Sequence, residues 1–302
     1  MTALAAPQSV LTANLICLAS MLVWAAGLPA ADLIIPHMPP FALTAARAAA
    51  AAVVLLPLWW LLEGGDAMRR ANWLRGIWVG GICMGAASAF LIYAQSRTDA
   101  VTVAVVTATM PVLGIALECV TDGRRVTPRL LIGLMLSLFG GMMAYLASIG
   151  ALRIGLGAAA ALASVACYTW GSRATVTQFP DQTPLGRTAV TVVGAMIAAL
   201  AAALIHAAAG APSPDWAAIG WRELGGLLVF GTGSLAISQL LWIFAVGRLG
   251  IGASSLHMNA VPFYVMIFVF LLGGAWDWTQ AAGAAVVVLG VLIAQGLIFR
   301  PA

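Results

Sequence analysis

Ten stretches of about 20 residues each run nearly free of charge along this chain, and their length constrains its fold more than any other feature. They lie at roughly 11–33, 40–62, 73–95, 99–120, 128–149, 155–176, 185–209, 220–246, 251–273 and 278–299. A helix rises about 1.5 Å per residue, so each stretch matches the ~30 Å of hydrocarbon in a bilayer. Charges and clusters of glycine and proline punctuate them. The longest breaks, "EGGDAMRRAN", "TDGRRVTP", "QFPDQTP" and "GAPSPDWAAIGWRE", are too short to hold a soluble domain. Composition agrees, with 63% hydrophobic and 8% charged residues against about 25% charged in ordinary soluble domains. Such a chain cannot coat itself in polar surface, so an all-α integral membrane protein solvated by lipid is expected.

The cationic side chains are all arginine, and their positions orient the chain. With the N-terminus inside, Arg69, Arg70, Arg75, Arg124, Arg125, Arg129, Arg173, Arg187, Arg248 and Arg300 fall on the cytoplasmic side, against Arg97, Arg153 and Arg222 outside. This asymmetry follows the positive-inside rule and places both termini in the cytoplasm. It also accounts for the net positive charge, so no nucleic-acid partner is expected. The first stretch has no basic region before it and no small-residue cleavage site after it, so it reads as a retained span. Cys17, Cys83, Cys119 and Cys167 all lie in apolar runs without metal-ligand spacing. They read as small packing residues, and no metal or cofactor is expected.

A second regularity halves the chain. "SRTDAVTVAVVTATMPV" (96–112) and "GRLGIGASSLHMNAVPF" (247–263) each begin near an arginine and reach a proline after the same interval. Arg97 and Arg248, like Pro111 and Pro262, stand 151 residues apart. Five spans per half is an odd number, so a duplicated second half enters the membrane upside down. The expected fold is therefore ten transmembrane helices arranged as two inverted five-helix repeats, 1–150 and 151–302. Inverted repeats are an architecture of secondary transporters, in which a central site opens to each side in turn. Pro111 and Pro262 lie near mid-span, where a missing backbone donor bends the helix, and they are the expected hinges.

"LVWAAG" in the first stretch and "YTWGSR" in the sixth resemble the aromatic-glycine signature that opens each half of the drug/metabolite transporter superfamily, EamA type. The glycine-spaced "IGLMLSLFGGMMAYL" and "AGAAVVVLGVLIAQG" are similar to the same family. Within it the chain looks most like the bacterial aromatic-amino-acid exporter branch. That resemblance implies alternating-access export of amino acids, aromatic and other apolar ones, across the bacterial inner membrane. Hydrophobic cations or other small metabolites are the alternative cargo. One departure stands out: Glu118 occupies a place where the family has a glutamate, but the second half has Gly274 and Ala275 where its partner is expected.

Polar and aromatic groups in mid-span are the candidates for contact with a solute. Trp24, Met84, Ser88, Tyr93, Ser164, Tyr168, Trp170, Gln239, Trp242, His257 and Asn259 are expected to wall a central site, apolar with a few converging polar groups. Trp59, Trp60, Trp73, Trp216, Trp221, Trp276 and Trp278 lie near span ends and read as interfacial anchors. Arg47 and Asp32 read as a buried pair joining the first two spans. His37 and His206 read as solvated. No mid-span carboxylate offers a proton relay, leaving His257 as the central titratable candidate, and no central arginine cluster favours a phosphate ester. Elimination thus points to a neutral or zwitterionic, partly apolar solute moving by facilitated diffusion or weakly coupled exchange, and a monomer is the expected state. Scattered histidines and end-of-span carboxylates lack the nucleophile–base or metal geometry of an enzyme, and a channel needs rings of charge that this chain lacks.

Overall fold

The structure is a computed structural model that describes residues 7–98, 103, 106–107, 109–146, 156–271, 273, 275–276 and 278–294. Within them a helix occupies each apolar stretch, and the described residues contain no strand. The first three helices are α1 (Pro7–Asp32), α2 (Pro40–Arg70) and α3 (Trp73–Arg97). They are followed by α4 (Met110–Asp122), α5 (Pro128–Leu146) and α6 (Leu156–Thr177). The series ends with α7 (Pro184–Ala208), α8 (Trp221–Leu249), α9 (residues 251–271) and α10 (Trp278–Ala294). Among the described residues, six helices are by length and composition able to cross a bilayer: α1, α2, α3, α7, α8 and α9.

Local sequence sets the helix ends. Proline opens α2, α5 and α7 at or next to the first helical position, where its missing N–H costs nothing. Asn72 accepts the Arg75 N–H ahead of α3, and Thr183 accepts the Gly186 N–H ahead of α7. Gly64, at φ 80° and ψ 165°, breaks α2 between its apolar span and the basic segment ending at Arg70. Gly123, at φ 63°, stops α4 in the left-handed conformation that glycine adopts without strain.

Burial is arranged for lipid. Val53, Leu61, Leu62 and Leu74 face outward at 71, 70, 68 and 80% exposure, whereas Arg47, Ser88, Gln239, His257 and Asn259 are buried. Polar groups gather inside because hydrocarbon offers them no partner. Small residues then let backbones approach, as membrane helices require in the absence of a hydrophobic drive between them. At the α3–α7 crossing, a Cβ added to Gly80 would lie within 2.7 Å of the Thr191 carbonyl carbon, and one on Gly194 within 2.6 Å of the Gly76 carbonyl carbon.

The helices pack in pairs, and several contacts made by 1–150 and by 151–302 resemble one another. α2 packs on α7, α4 on α9 and α5 on α10, while α1 on α8 mirrors α6 on α3. The resemblance reaches single atoms. Ser20 Oγ of α1 donates to the Ser238 carbonyl at 2.8 Å, and Ser164 Oγ of α6 donates to the Ala87 carbonyl at 2.7 Å. Gly27 sits against Ser234, and Gly171 against Cys83. The Arg97 guanidinium lies 5.3 Å over the Tyr93 ring, and that of Arg248 lies 4.9 Å over Phe244. On α5 and α10, Gly133 faces Gly290 while Gly140 faces Gly283.

Two irregular features also recur. α3 widens to a π-helix over Gly81–Ala86, and α8 does so over Val229–Ile237. α9 tightens to a 3-10 turn over Leu256–Ala260 just before Pro262, the second residue of Val261–Leu271. Pro111 likewise follows the first residue of α4, after i to i−3 hydrogen bonds from Thr109 N to Val106 O and from Val112 N to Thr109 O, both 3.0 Å. A proline ring blocks the regular bond to the preceding turn; Pro262 follows the 3-10 turn of α9, and Pro111 stands at the opening of α4.

The paired serine bonds give a direct prediction. Ser20→Ala and Ser164→Ala should each destabilise the folded protein by about 1 kcal/mol, with nearly equal costs, measured by unfolding in mixed micelles. A severalfold difference between the two would contradict their equivalence.

Candidate functional site

The helices that form these pairs surround a central cavity. Trp24, Arg47, Met84, Ser88, Thr107, Met110, Ser164, Tyr168, Ser234, Leu235, Gln239 and Met258 line it, with Ala87, Leu91 and Val165. Many are counterparts across the two halves: Met84 with Leu235, Ser88 with Gln239 and Thr107 with Met258 are each 151 residues apart. Trp24 and Tyr168 form another pair, since each stands three residues before the glycine (Gly27 or Gly171) that lets its helix approach α8 or α3. Residues of both 1–150 and 151–302 therefore line the cavity. Both π-helical segments border it through Met84, Ser234 and Leu235. π-bulges are frequent at functional sites, where they redirect side chains that a regular helix would point elsewhere.

The space is about 40 Å³. At roughly 10–15 Å³ per water it holds a few waters and no amino acid. No solute of that size fits the space as the structure stands.

Of the residues expected from sequence at the site, Trp24, Met84, Ser88, Ser164, Tyr168 and Gln239 line this cavity. Trp242 stands one layer behind. It is fully buried, donates Nε1–H to Ser172 Oγ at 2.9 Å, and stacks on Tyr168 with centroids 6.0 Å apart. Tyr168 in turn donates its hydroxyl proton to Gln239 Oε1 at 2.6 Å. Trp170 packs at the edge of the α2–α3–α7 core, and the cavity lining does not include it. Tyr93 faces a lateral apolar groove with Phe90, Arg97, Phe41 and His206.

His257 and Asn259 are buried in the 3-10 turn of α9, and neither is among the residues lining the cavity. His257 Nδ1 lies 3.2 Å from the Ser254 carbonyl, while both polar atoms of Asn259 lack a hydrogen-bond partner.

The structure corrects the pairing expected for Arg47. Its Nε donates to the Phe230 carbonyl at 3.1 Å, Nη1 to Ser88 Oγ at 3.2 Å and Nη2 to Ser234 Oγ at 3.2 Å. The guanidinium also stacks 3.9 Å over the Phe230 ring. Asp32 instead accepts from Gln95 Nε2 at 2.7 Å, a nitrogen that also reaches the Leu28 carbonyl. Asp32 is exposed at the end of α1 whereas Arg47 is buried, and α2 turns Arg47 toward the cavity. Sequence reading missed Arg47 and Ser234 as lining residues, and an arginine far from a span end was the available signal.

Trp59 is a second correction. Rather than anchoring at an interface it is fully buried. It donates Nε1–H to Glu63 Oε2 at 3.2 Å and tilts against Trp73 at 5.9 Å. His206 is exposed and meets Phe41 edge-on. The four cysteines carry free thiols.

The basic end of the bundle, where α4 and α6 finish, is tied by charge. Glu118 pairs with Arg124 and accepts the Gly252 N–H at 2.8 Å, joining α4 to the start of α9. Asp122 pairs with Arg173, joining α4 to α6. Gly250, at φ 81°, leaves room for the Glu118 carboxylate in the turn between α8 and α9. The glutamate noted in the first half thus clamps backbone of the second.

Three comparisons with known proteins bear on the fold and the class of this chain. Residues 11–146 match the model of the EamA-like transporter family. An uncharacterized transporter, YyaM of Bacillus subtilis (strain 168), is 31% identical over 125 residues, which cover 40% of this chain and 38% of that relative's length. A solved crystal structure at 23% sequence identity superposes with a TM-score of 0.76, covering 95% of this chain and 97% of the other, and so shares its fold. The family match spans less than half of this chain, and the curated relative is likewise matched over only part of its length.

Proposed function

We propose that this chain is an EamA-type secondary transporter built from two inverted five-helix repeats. In this reading it exports amino acids, aromatic and other apolar ones foremost, across the bacterial inner membrane by alternating access, as a monomer with both termini in the cytoplasm. The observation that carries the reading is the central cavity, walled by residues of both 1–150 and 151–302 and furnished with Trp24, Tyr168 and a few polar groups. Aromatic faces suit an apolar side chain or an ammonium group, and the hydroxyls and amide suit polar ends.

The paired contacts support the inverted repeat, because a carrier of this kind needs two halves able to exchange conformations. Pro111 and Pro262 are the proposed places for bending. Closure at the basic end by Glu118–Arg124 and Asp122–Arg173 gives one side a seal that must part before the cavity opens there. Hydrophobic cations fit less well, since a guanidinium already occupies the wall. His257, away from the lining, is not placed to relay protons through the cavity.

The test is flux of labelled phenylalanine and leucine into vesicles containing the purified full-length chain, with and without a pH gradient. Saturable flux of either amino acid that persists without the gradient is expected. Flux of another solute and of neither amino acid would overturn the cargo assignment, and an obligatory gradient would overturn the uncoupled mechanism.

A further inference from the structure

The cavity wall is unusual in the sign of its unused hydrogen-bonding groups. Arg47 is 2% exposed, and its guanidinium carries more N–H donors than the Phe230 carbonyl and the two serine hydroxyls consume. Ser88 and Ser234 each accept from it and keep their own hydroxyl protons to donate. Gln239 is also 2% exposed. Its Oε1 accepts from Tyr168, which leaves Nε2 buried and without a partner. These groups share one cavity, and no carboxylate lines it among the described residues. A buried cation next to an unanswered amide donor is costly unless something supplies negative charge and acceptors.

We infer that Arg47, Ser88, Ser234 and the Gln239 amide form a carboxylate-recognition site, so that the carried solute must bear a carboxylate. The assignment rests on the transporter reading and narrows its cargo: zwitterions and organic anions are admitted, and cations without a carboxylate are rejected. A planar guanidinium flanked by hydroxyl and amide donors matches the oxygens of a carboxylate, while Trp24 and Tyr168 remain to meet the rest of the solute. The site belongs mostly to one half. Thr191, which occupies the corresponding place on α7 against α3, spends its hydroxyl on the Arg187 carbonyl of its own helix.

The test uses the purified full-length chain in micelles and probes sharing one aromatic ring: phenylalanine, 3-phenylpropionate and phenethylamine. Calorimetry should show both carboxylates binding and phenethylamine binding at least roughly tenfold more weakly. Gln239→Met should weaken both carboxylates by roughly tenfold and leave phenethylamine unchanged. Arg47→Gln should erase the preference altogether. Should Arg47→Gln fail to fold, the Gln239→Met comparison decides, because a purely structural role for Gln239 would shift all probes alike. Equal binding of phenethylamine and phenylalanine would overturn the inference. So would chloride competing as well as 3-phenylpropionate, or no binding of either carboxylate. Carboxylate-selective binding without flux in vesicles would refute the transport reading and leave this site standing. Flux indifferent to the carboxylate would do the reverse.

Discussion

Valine in place of Gly194 is expected to leave almost no folded protein in the membrane. At this crossing the nearest atoms to an added Cβ belong to the Gly76 and Ile77 backbone. A flexible side chain could swing aside, but a helix backbone moves only with its whole element, so α3 and α7 would have to separate. Separation would open the α2–α3–α7 core, in which Val79, Cys83, Val190 and Val193 are buried together. Overpacking of ordinary cores costs about 1–3 kcal/mol, and a clash between backbones should exceed that range. Gly225→Val is the control, since a Cβ there meets nothing within 4 Å. Monodisperse yield and melting temperature decide the matter. A Gly194→Val protein that behaves like wild type would mean that α3 and α7 do not cross at this point.

Trp242→Ala carries the second large effect. The indole is fully buried, bonded to Ser172 and stacked on Tyr168. Removing a buried aromatic of this size should cost about 3–5 kcal/mol. It should also release Tyr168, and with it the hydroxyl that holds Gln239, so flux should fall below detection even where the protein remains folded. Trp242→Phe keeps the stacking and forfeits the hydrogen bond. It should cost about 1–2 kcal/mol and retain much of the flux. Equal flux in Trp242→Ala and wild type would detach Tyr168 and Gln239 from the transport path.

Helix positions were legible in the sequence for a plain reason. Lipid forces every spanning segment to be both apolar and long, and arginine, glycine and proline mark the ends. The recurrence of arginine and proline 151 residues apart was legible too; Pro262 follows a 3-10 turn, and Pro111 opens α4. The facing of side chains was not. In the sequence Arg47 and Asp32 fall toward the same side of the membrane, which suggests a pair, but that leaves open which neighbour a helix turns toward. Trp170 and Tyr168 are two residues apart on α6 and therefore point to nearly opposite sides. The aromatic-glycine motif draws attention to the tryptophan, whereas spacing from Gly171 assigns the cavity to the tyrosine. The π segments leave almost no trace beyond glycine-rich text, yet they set the rotation of everything after them on α3 and α8. That added rotation affects where Ser88 and Gln239 face, which periodicity alone does not reveal.

Arg47 has no ionised counterpart in the second half, and this lopsidedness has an electrical consequence. Arginine keeps its proton at any physiological pH. Under the alternating access proposed above, the voltage drop relocates to whichever side is shut. The same fixed cation is therefore near one bath's potential in one posture and near the other's in the next. A full traverse is worth about 2.3 kcal/mol per charge per 100 mV. An unloaded molecule should thus be driven by the resting potential of the cell toward one posture, and cargo that neutralises the cation should abolish that bias.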